Sequence, residues 1–178
     1  MKLKNYSLLT IAISFLMVLT AAFASAEKAV IDSGYCGADG DNLSWVLYDD
    51  GELVISGEGQ MADAYSADYG NIFNENELIK SVVIEDGVTS IGTEAFMLCR
   101  GLEEVSLPET VSSIGRGAFS YTALTNVILP DKITAIEAYT FRYCEKLENI
   151  EFSKSIITIG QCAFEGCSSL SKIELPDG

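Results

Sequence analysis

The sequence contains no histidine. That single absence removes Ser-His-Asp and Cys-His nucleophile arrangements, imidazole general bases and every histidine-containing zinc site. Walker loops, Gly-x-Ser-x-Gly elbows and dinucleotide-binding glycine fingerprints are missing as well. Basic side chains are scarce: 11 Lys and Arg stand against 26 Asp and Glu, a net charge of −15. Such a surface repels phosphate backbones and anionic headgroups, which disfavours nucleic-acid binding and a polybasic membrane patch. The five cysteines (Cys36, Cys99, Cys144, Cys162 and Cys167) are an odd number, so they cannot form a complete intramolecular disulfide framework. The expectation is a protein that is no enzyme, with no cofactor and no metal.

Residues 1–26 read as an export signal. Lys2 and Lys4 give a positive start, an apolar stretch covers 8–19, and Ala24-Ser25-Ala26 supplies the small-x-small cleavage pattern. The apolar stretch is shorter than the ~20 residues a membrane-spanning helix needs. Cleavage after Ala26 places the chain outside the cell or on its surface, with no stable membrane insertion afterwards. The remaining 152 residues carry nine cationic and 26 acidic side chains, a net charge of −17. That length is enough for one domain with a substantial core.

Self-similarity organises the rest. Four units align at 88–110, 111–132, 133–155 and 156–178, of 23, 22, 23 and 23 residues. Phe96, Phe119, Phe141 and Phe164 fall in one column. Ile91, Ile114, Ile136 and Ile159 form another, and Leu102, Leu124, Leu147 and Leu170 a third. A half unit at 79–87 precedes them, since Ile79, Val82, Ile84 and Val88 match Leu102, Val105, Leu107 and Val111 in spacing. The one missing residue of the second unit lies between Phe119 and Leu124.

Each unit carries two local periods. Val105 and Leu107 alternate with Glu104 and Ser106, the pattern of a short strand with one face inward. Ala95, Phe96 and Cys99 have the spacing of one helical turn, behind Gly92. Pro108, Pro130 and Pro176 end the strands. A unit this small cannot bury its own apolar face, so neighbours must stack at ~4.8 Å, with the phenylalanines as an internal column.

The segments VTSIGTEAFMLCRGLEEVSLP, VSSIGRGAFSYTALTNVILP and IITIGQCAFEGCSSLSKIELP resemble the BspA-like class of leucine-rich repeat found in bacterial surface and secreted proteins. The N-terminal CGADGDNLSWVLYDDGELVISGEGQM is similar to the lead-in segment of such arrays. The resemblance runs from Cys36 to Gly178. It implies an α/β repeat solenoid, a right-handed leucine-rich-repeat superhelix of short stacked strands and short helical turns. It also implies a role in adhesion or protein binding, without identifying a ligand. Unit three departs from the pattern, with Glu137 for the usual glycine and Thr140 for the usual alanine.

Residues 27–78 are expected to form an N-terminal β-hairpin cap and a connecting loop, ahead of the array at 79–178. Trp45 and Leu47 alternate on one arm, Leu53 and Ile55 on the other, with Asp49-Asp50-Gly51 as the turn. The stretch 57–77 reads as a loop crossing from cap to array. Asp39, Asp41 and Asp50 invite a calcium-loop reading, which fails because Leu43 and Ser44 fall where an oxygen ligand and a glycine are required. Paired acids such as Glu103-Glu104 lack the flanking cleft that glycosidase chemistry needs. Cys99, Cys144 and Cys167 share a repeat column, with Tyr121 or Thr122 in the short unit, and read as buried thiols. Cys162 lies off that column and is the expected exposed thiol.

With the inward columns assigned to the core, two outward columns remain on the stacked strands. One is Ser81, Glu104, Asn126, Asn149 and Lys172; the other is Val83, Ser106, Ile128, Glu151 and Glu174. This strip, ~20–25 Å long at the stacking distance of strands, is the expected ligand-binding face for a protein on a host or bacterial surface. Two rival readings are a structural spacer within a larger surface protein and a polysaccharide-binding accessory module. The second calls for aromatics on the strip, whereas Tyr121, Tyr139 and Tyr143 fall on the turn side.

Overall fold

The computed structural model describes residues 27–64 and 72–175, so the export signal read at 1–26 lies outside the described residues. Twelve strands are present among them: β1 (Val30–Gly37), β2 (Gly40–Tyr48), β3 (Glu52–Gly57), β4 (Gly59–Gln60), β5 (Ser81–Ile84), β6 (Val88–Ile91), β7 (Glu104–Ser106), β8 (Ser113–Ile114), β9 (Asn126–Ile128), β10 (Ala135–Ile136), β11 (Asn149–Glu151) and β12 (Thr158–Ile159). β1, β2 and β3 pair antiparallel, and every pairing from β3 onward is parallel. The strands form two rows along the stack. One row is β1-β2-β3-β5-β7 followed by β9 and β11; the other is β4-β6-β8 followed by β10 and β12.

The core is the set of inward columns. Phe96, Phe119 and Phe141 are fully buried, as are Ile79, Leu102, Leu124 and Leu147. Rings of successive coils stack nearly parallel: Phe96 to Phe119 at 5.5 Å, Phe119 to Phe141 at 5.7 Å and Phe141 to Phe164 at 5.6 Å. The column begins one coil earlier than the repeat reading places it. Phe73 stacks on Phe96 at 5.3 Å, and Trp45 meets Phe73 edge-on at 5.4 Å. The stretch read as a crossing loop therefore supplies β4 and a core ring, while 65–71 lie outside the described residues.

The expected short helical turns are absent: among the described residues there is no α-helix, and 93–98, 116–121, 138–143 and 161–166 are turns. An α-helix sends each N–H back to the carbonyl four residues earlier within the same segment. Here the donors alternate. Glu94, Phe96 and Leu98 donate to Arg116, Ala118 and Ser120 of the next coil, each at 2.9 Å, while Ala95, Met97 and Cys99 donate three residues back. Pointing alternate N–H groups along the stack requires two residues per turn at positive φ. These are Glu94 and Leu98, Gly117 and Tyr121, Tyr139 and Tyr143, then Cys162 and Gly166. The repeat is thus a coil of strands and turns rather than an α/β unit.

One of the two departures in unit three finds a physical account, and nothing in the structure explains the other, Glu137. Thr140 is fully buried in place of alanine, and its hydroxyl donates to the Glu137 carbonyl at 2.8 Å, so no polar group is stranded. The usual glycine is set by close approach: a Cβ at Gly92 would lie 2.0 Å from the Ala62 carbonyl oxygen, and one at Gly115 2.5 Å from the Thr93 nitrogen. Glu137 carries a side chain at that corner and is exposed.

Removing one ring interrupts the column on both sides. Phe141→Ala is expected to destabilise the fold by about 3–5 kcal/mol, the range for deleting a large buried aromatic. Urea unfolding followed by far-UV circular dichroism checks this, and an unchanged midpoint would contradict the column.

Candidate functional site

The outward strip lies on the longer row of strands. Parallel register sets Ser81 beside Glu104 and Val83 beside Ser106, and likewise Asn126 beside Asn149 and Ile128 beside Glu151. Glu104, Ser106, Asn126, Asn149 and Glu151 are exposed, and Ile128 stands 65% exposed, a lone large apolar side chain on a polar face. Ser81 and Val83 are half-buried. Lys172 and Glu174 are exposed but sit on irregular backbone rather than a strand, and they form an ion pair with each other. That lysine holds the Glu174 carboxyl below its ordinary range.

Two features of the face follow from the sequence without being read from it. The first is continuity. β3 pairs in register with β5, setting Glu52 beside Ser81 and Val54 beside Val83, and β2 sets Val46 beside Val54. Val46, Val54 and Val83 therefore make a half-buried apolar row that extends the strip onto the hairpin. The signal was their alternation with the inward Leu43, Leu47, Leu53 and Ile55. The second is a break. β7 and β9 belong to separate hydrogen-bonded sheets, at the unit that lacks one residue. A groove of about 420 Å³ lies over this junction, between Glu104, Ser106 and Glu109 on one side and Asn126, Ile128 and Pro130 on the other, and one of about 520 Å³ lies over the paired β9 and β11. Beyond the break the face is tied again, with the Asn149 side-chain Nδ2 donating to Asn126 Oδ1 at 2.9 Å.

The cysteine column has a structural occupation. Cys99 donates its thiol proton to the Phe73 carbonyl at 2.9 Å, Cys144 to that of Phe119 at 3.1 Å and Cys167 to that of Phe141 at 3.0 Å. Each thiol thus satisfies the carbonyl of a ring residue in the preceding coil. In the short unit the Thr122 hydroxyl instead donates to the Phe119 carbonyl of its own coil at 2.9 Å and lies 3.3 Å from the Cys144 sulfur. All five cysteines are free; Cys36, Cys99 and Cys144 are buried, while Cys162 and Cys167 are half-exposed. Burial pushes the thiols of Cys36, Cys99 and Cys144 up to about 12. No three Cys, Asp or Glu side chains converge as a metal site among the described residues, and no helix there is long and apolar enough to cross a membrane.

The model of the BspA type leucine rich repeat region matches residues 69–178 in six copies. The chain is similar to a leucine-rich repeat protein from Eubacterium ventriosum ATCC 27560, at 29% identity and a TM-score of 0.62, over 81% of this chain and 44% of that one. It is also similar to a leucine-rich repeat protein from Bacteroides ovatus ATCC 8483, at 27% identity and a TM-score of 0.57, over 67% of this chain and 35% of that one. The chain spans less than half the length of either. No curated protein matches it.

The buried thiols make stability fall in alkali. In the folded chain they keep their protons up to about 12, whereas in the unfolded chain they ionise from their ordinary 9. Ionisation reached only by unfolding pulls the equilibrium toward the unfolded state, so stability is intact below pH 9 and is lost progressively toward pH 12. Cys144→Ala should flatten this fall, measured as urea midpoints across that window. A slope identical to the parent's would contradict the assignment.

Proposed function

Because the chain belongs to the BspA type leucine rich repeat proteins, we propose that it works as an exported adhesion module whose strand face captures a protein on a host or bacterial surface. The observation that carries this reading is the ordered outward array of Glu104, Ser106, Asn126, Ile128, Asn149 and Glu151 on two blocks of paired parallel strands, β5–β7 and β9–β11. Side chains held on a rigid sheet lose little conformational freedom when a partner binds, so each contact is retained as affinity. Ile128 supplies an apolar anchor, the half-buried valines extend it, and the surrounding acids and amides form a polar rim, the anatomy of a protein interface. Five stacked coils give a strip of ~20–25 Å, about the span of one epitope. Export rests on the signal read at 1–26. The acidic surface directs the choice of partner toward neutral or basic surfaces, and no reaction chemistry is assigned to the face.

The test is capture of matrix proteins and bacterial cell surfaces by the secreted chain. Glu104→Lys, Asn126→Lys and Glu151→Lys together should weaken capture by at least about tenfold, the equivalent of one lost well-placed contact, with circular dichroism unchanged. Asp86→Lys with Asp131→Lys, a comparable charge change on the turns after the strands, should leave capture intact. Equal loss in both variants would reduce the interaction to bulk charge and sink the strand-face assignment.

A further inference from the structure

The chain has only three arginines, and all of them stand together on the turns with three tyrosines. They form one continuous array. Arg100 lies over Tyr121 at 5.8 Å, and Tyr121 stacks on Tyr143 at 4.9 Å. Arg142 lies over both Tyr143, at 4.9 Å, and Tyr139, at 5.4 Å, while Arg116 covers Tyr139 at 5.0 Å. Between Tyr121, Tyr139, Arg116 and Arg142 a cleft of about 280 Å³ opens, with Gly117 in its lining and Glu94 at its side.

Three observations mark this cleft as built for a ligand. The first is charge. In a chain with 26 acidic side chains, Arg100 and Arg116 are exposed and neither forms an ion pair among the described residues. Arg142 is paired with Glu165 at 2.7 Å, which fixes its guanidinium over the two rings. The second is backbone. Tyr121, Tyr139 and Tyr143 all sit at positive φ, at positions that other units fill with Gly117 and Gly166 or with Glu94, Leu98 and Cys162, so the ring is a choice of side chain and not a demand of the coil. Bulky side chains adopt that conformation at a cost that glycine does not meet. The third is composition: planar donors, one carboxylate acceptor and two aromatic walls converge on one small cleft.

We propose that this cleft binds a saccharide carrying a carboxylate, a single uronic- or sialic-acid-type residue on an otherwise neutral glycan. Arg116 would take the carboxylate through two parallel N–H bonds, the geometry a guanidinium offers and an ammonium does not. The ring faces of Tyr139 and Tyr121 are covered by the arginines and Tyr143, so their half-exposed edges would meet the apolar face of the sugar, and Glu94 would accept from its hydroxyls. The volume is close to the lower end of small-molecule sites, ~300 Å³, and suits one or two sugar rings. A polyphosphate or a densely acidic peptide fits less well, because each further charge meets Glu94, Glu165 and the acidic field of the whole chain.

The full exported chain can be titrated calorimetrically with sialyllactose, with a glucuronate-containing oligosaccharide, with lactose and with polyglutamate. The first two separate the two sources of the carboxylate, and binding of either supports the proposal where lactose is weaker by about tenfold or more, as expected when a charge-assisted hydrogen bond is lost. Arg116→Gln and Tyr139→Gly should each weaken that binding by a similar factor. Tyr139→Gly keeps the coil, since Gly117 occupies the same position one unit earlier. The strand-face triple variant should bind the saccharide like the parent, which separates a failure here from a failure of protein capture. Three outcomes overturn the proposal: acidic saccharides binding no better than lactose, both cleft variants binding like the parent, or polyglutamate binding more tightly and being lost in the same variants.

Discussion

Backbone polarity constrains every coil of this stack. A turn buried against its neighbours cannot leave N–H and C=O groups unpaired, because each stranded group costs about 1–3 kcal/mol. The turns solve this by sending alternate N–H groups into the next coil, as Glu94, Phe96 and Leu98 do to Arg116, Ala118 and Ser120. From that ladder the other regularities follow. Two residues per turn must take positive φ. In the units with glycine at the corner, Gly92 and Gly115 lie against the preceding backbone, whereas Glu137 carries a side chain there. Ring carbonyls left with a free lone pair are met by the thiols of Cys99, Cys144 and Cys167. The phenylalanine spacing of 5.3–5.7 Å is a consequence of the same ladder, since rings attached to bonded coils are carried into stacking distance.

The core was legible in the sequence because side-chain direction repeats with the unit, and a column of apolar residues records direction. The backbone of the turns was not legible. Ala95, Phe96 and Cys99 have a spacing that a helical turn would also give, and nothing local distinguishes the two. The carbonyls that decide the matter lie 22 residues away in the next coil, as for Glu94 and Arg116. Phe73 was missed for a different reason. It stands 23 residues before Phe96, as Ile79 stands 23 before Leu102, yet the polar stretch in front of it breaks the column pattern. On the strand face the outward residues could be named from alternation alone. The missing residue of the second unit was visible too, but its effect on the pairing of β7 with β9 depends on three-dimensional strand position.

The same constraint divides the surface into parts with different freedom. Along the strands, every second residue is committed to the core and the rest are held in two straight columns, so the outward face varies only in side-chain type. Its residues are polar apart from Ile128 and the half-buried Val46, Val54 and Val83, and the side-chain amides of Asn126 and Asn149 bond each other. On the turns, the positive-φ positions are set by backbone bonding and not by side-chain packing. Any residue that tolerates the conformation can stand there, and glycine does so with least strain.

That difference bears on where a partner's chemistry can be written into such an array. A strand-face substitution changes one contact within a fixed lattice of neighbours, which suits a broad surface meeting a protein through many small terms. A turn substitution changes a projecting side chain whose backbone is already determined, and its neighbours in the column lie within ring-stacking distance, as Tyr121 and Tyr143 do at 4.9 Å. A column of such positions concentrates aromatic and guanidinium groups in a small volume without disturbing the core. The backbone there accepts glutamate, leucine and cysteine as well as glycine, at Glu94, Leu98, Cys162, Gly117 and Gly166, so three tyrosines gathered beside all three arginines are a feature of the surface and not a demand of the stack. The array thus separates the residues that hold coils together from those that meet the solvent, and the second set divides again into an extended polar strip and a compact aromatic cleft.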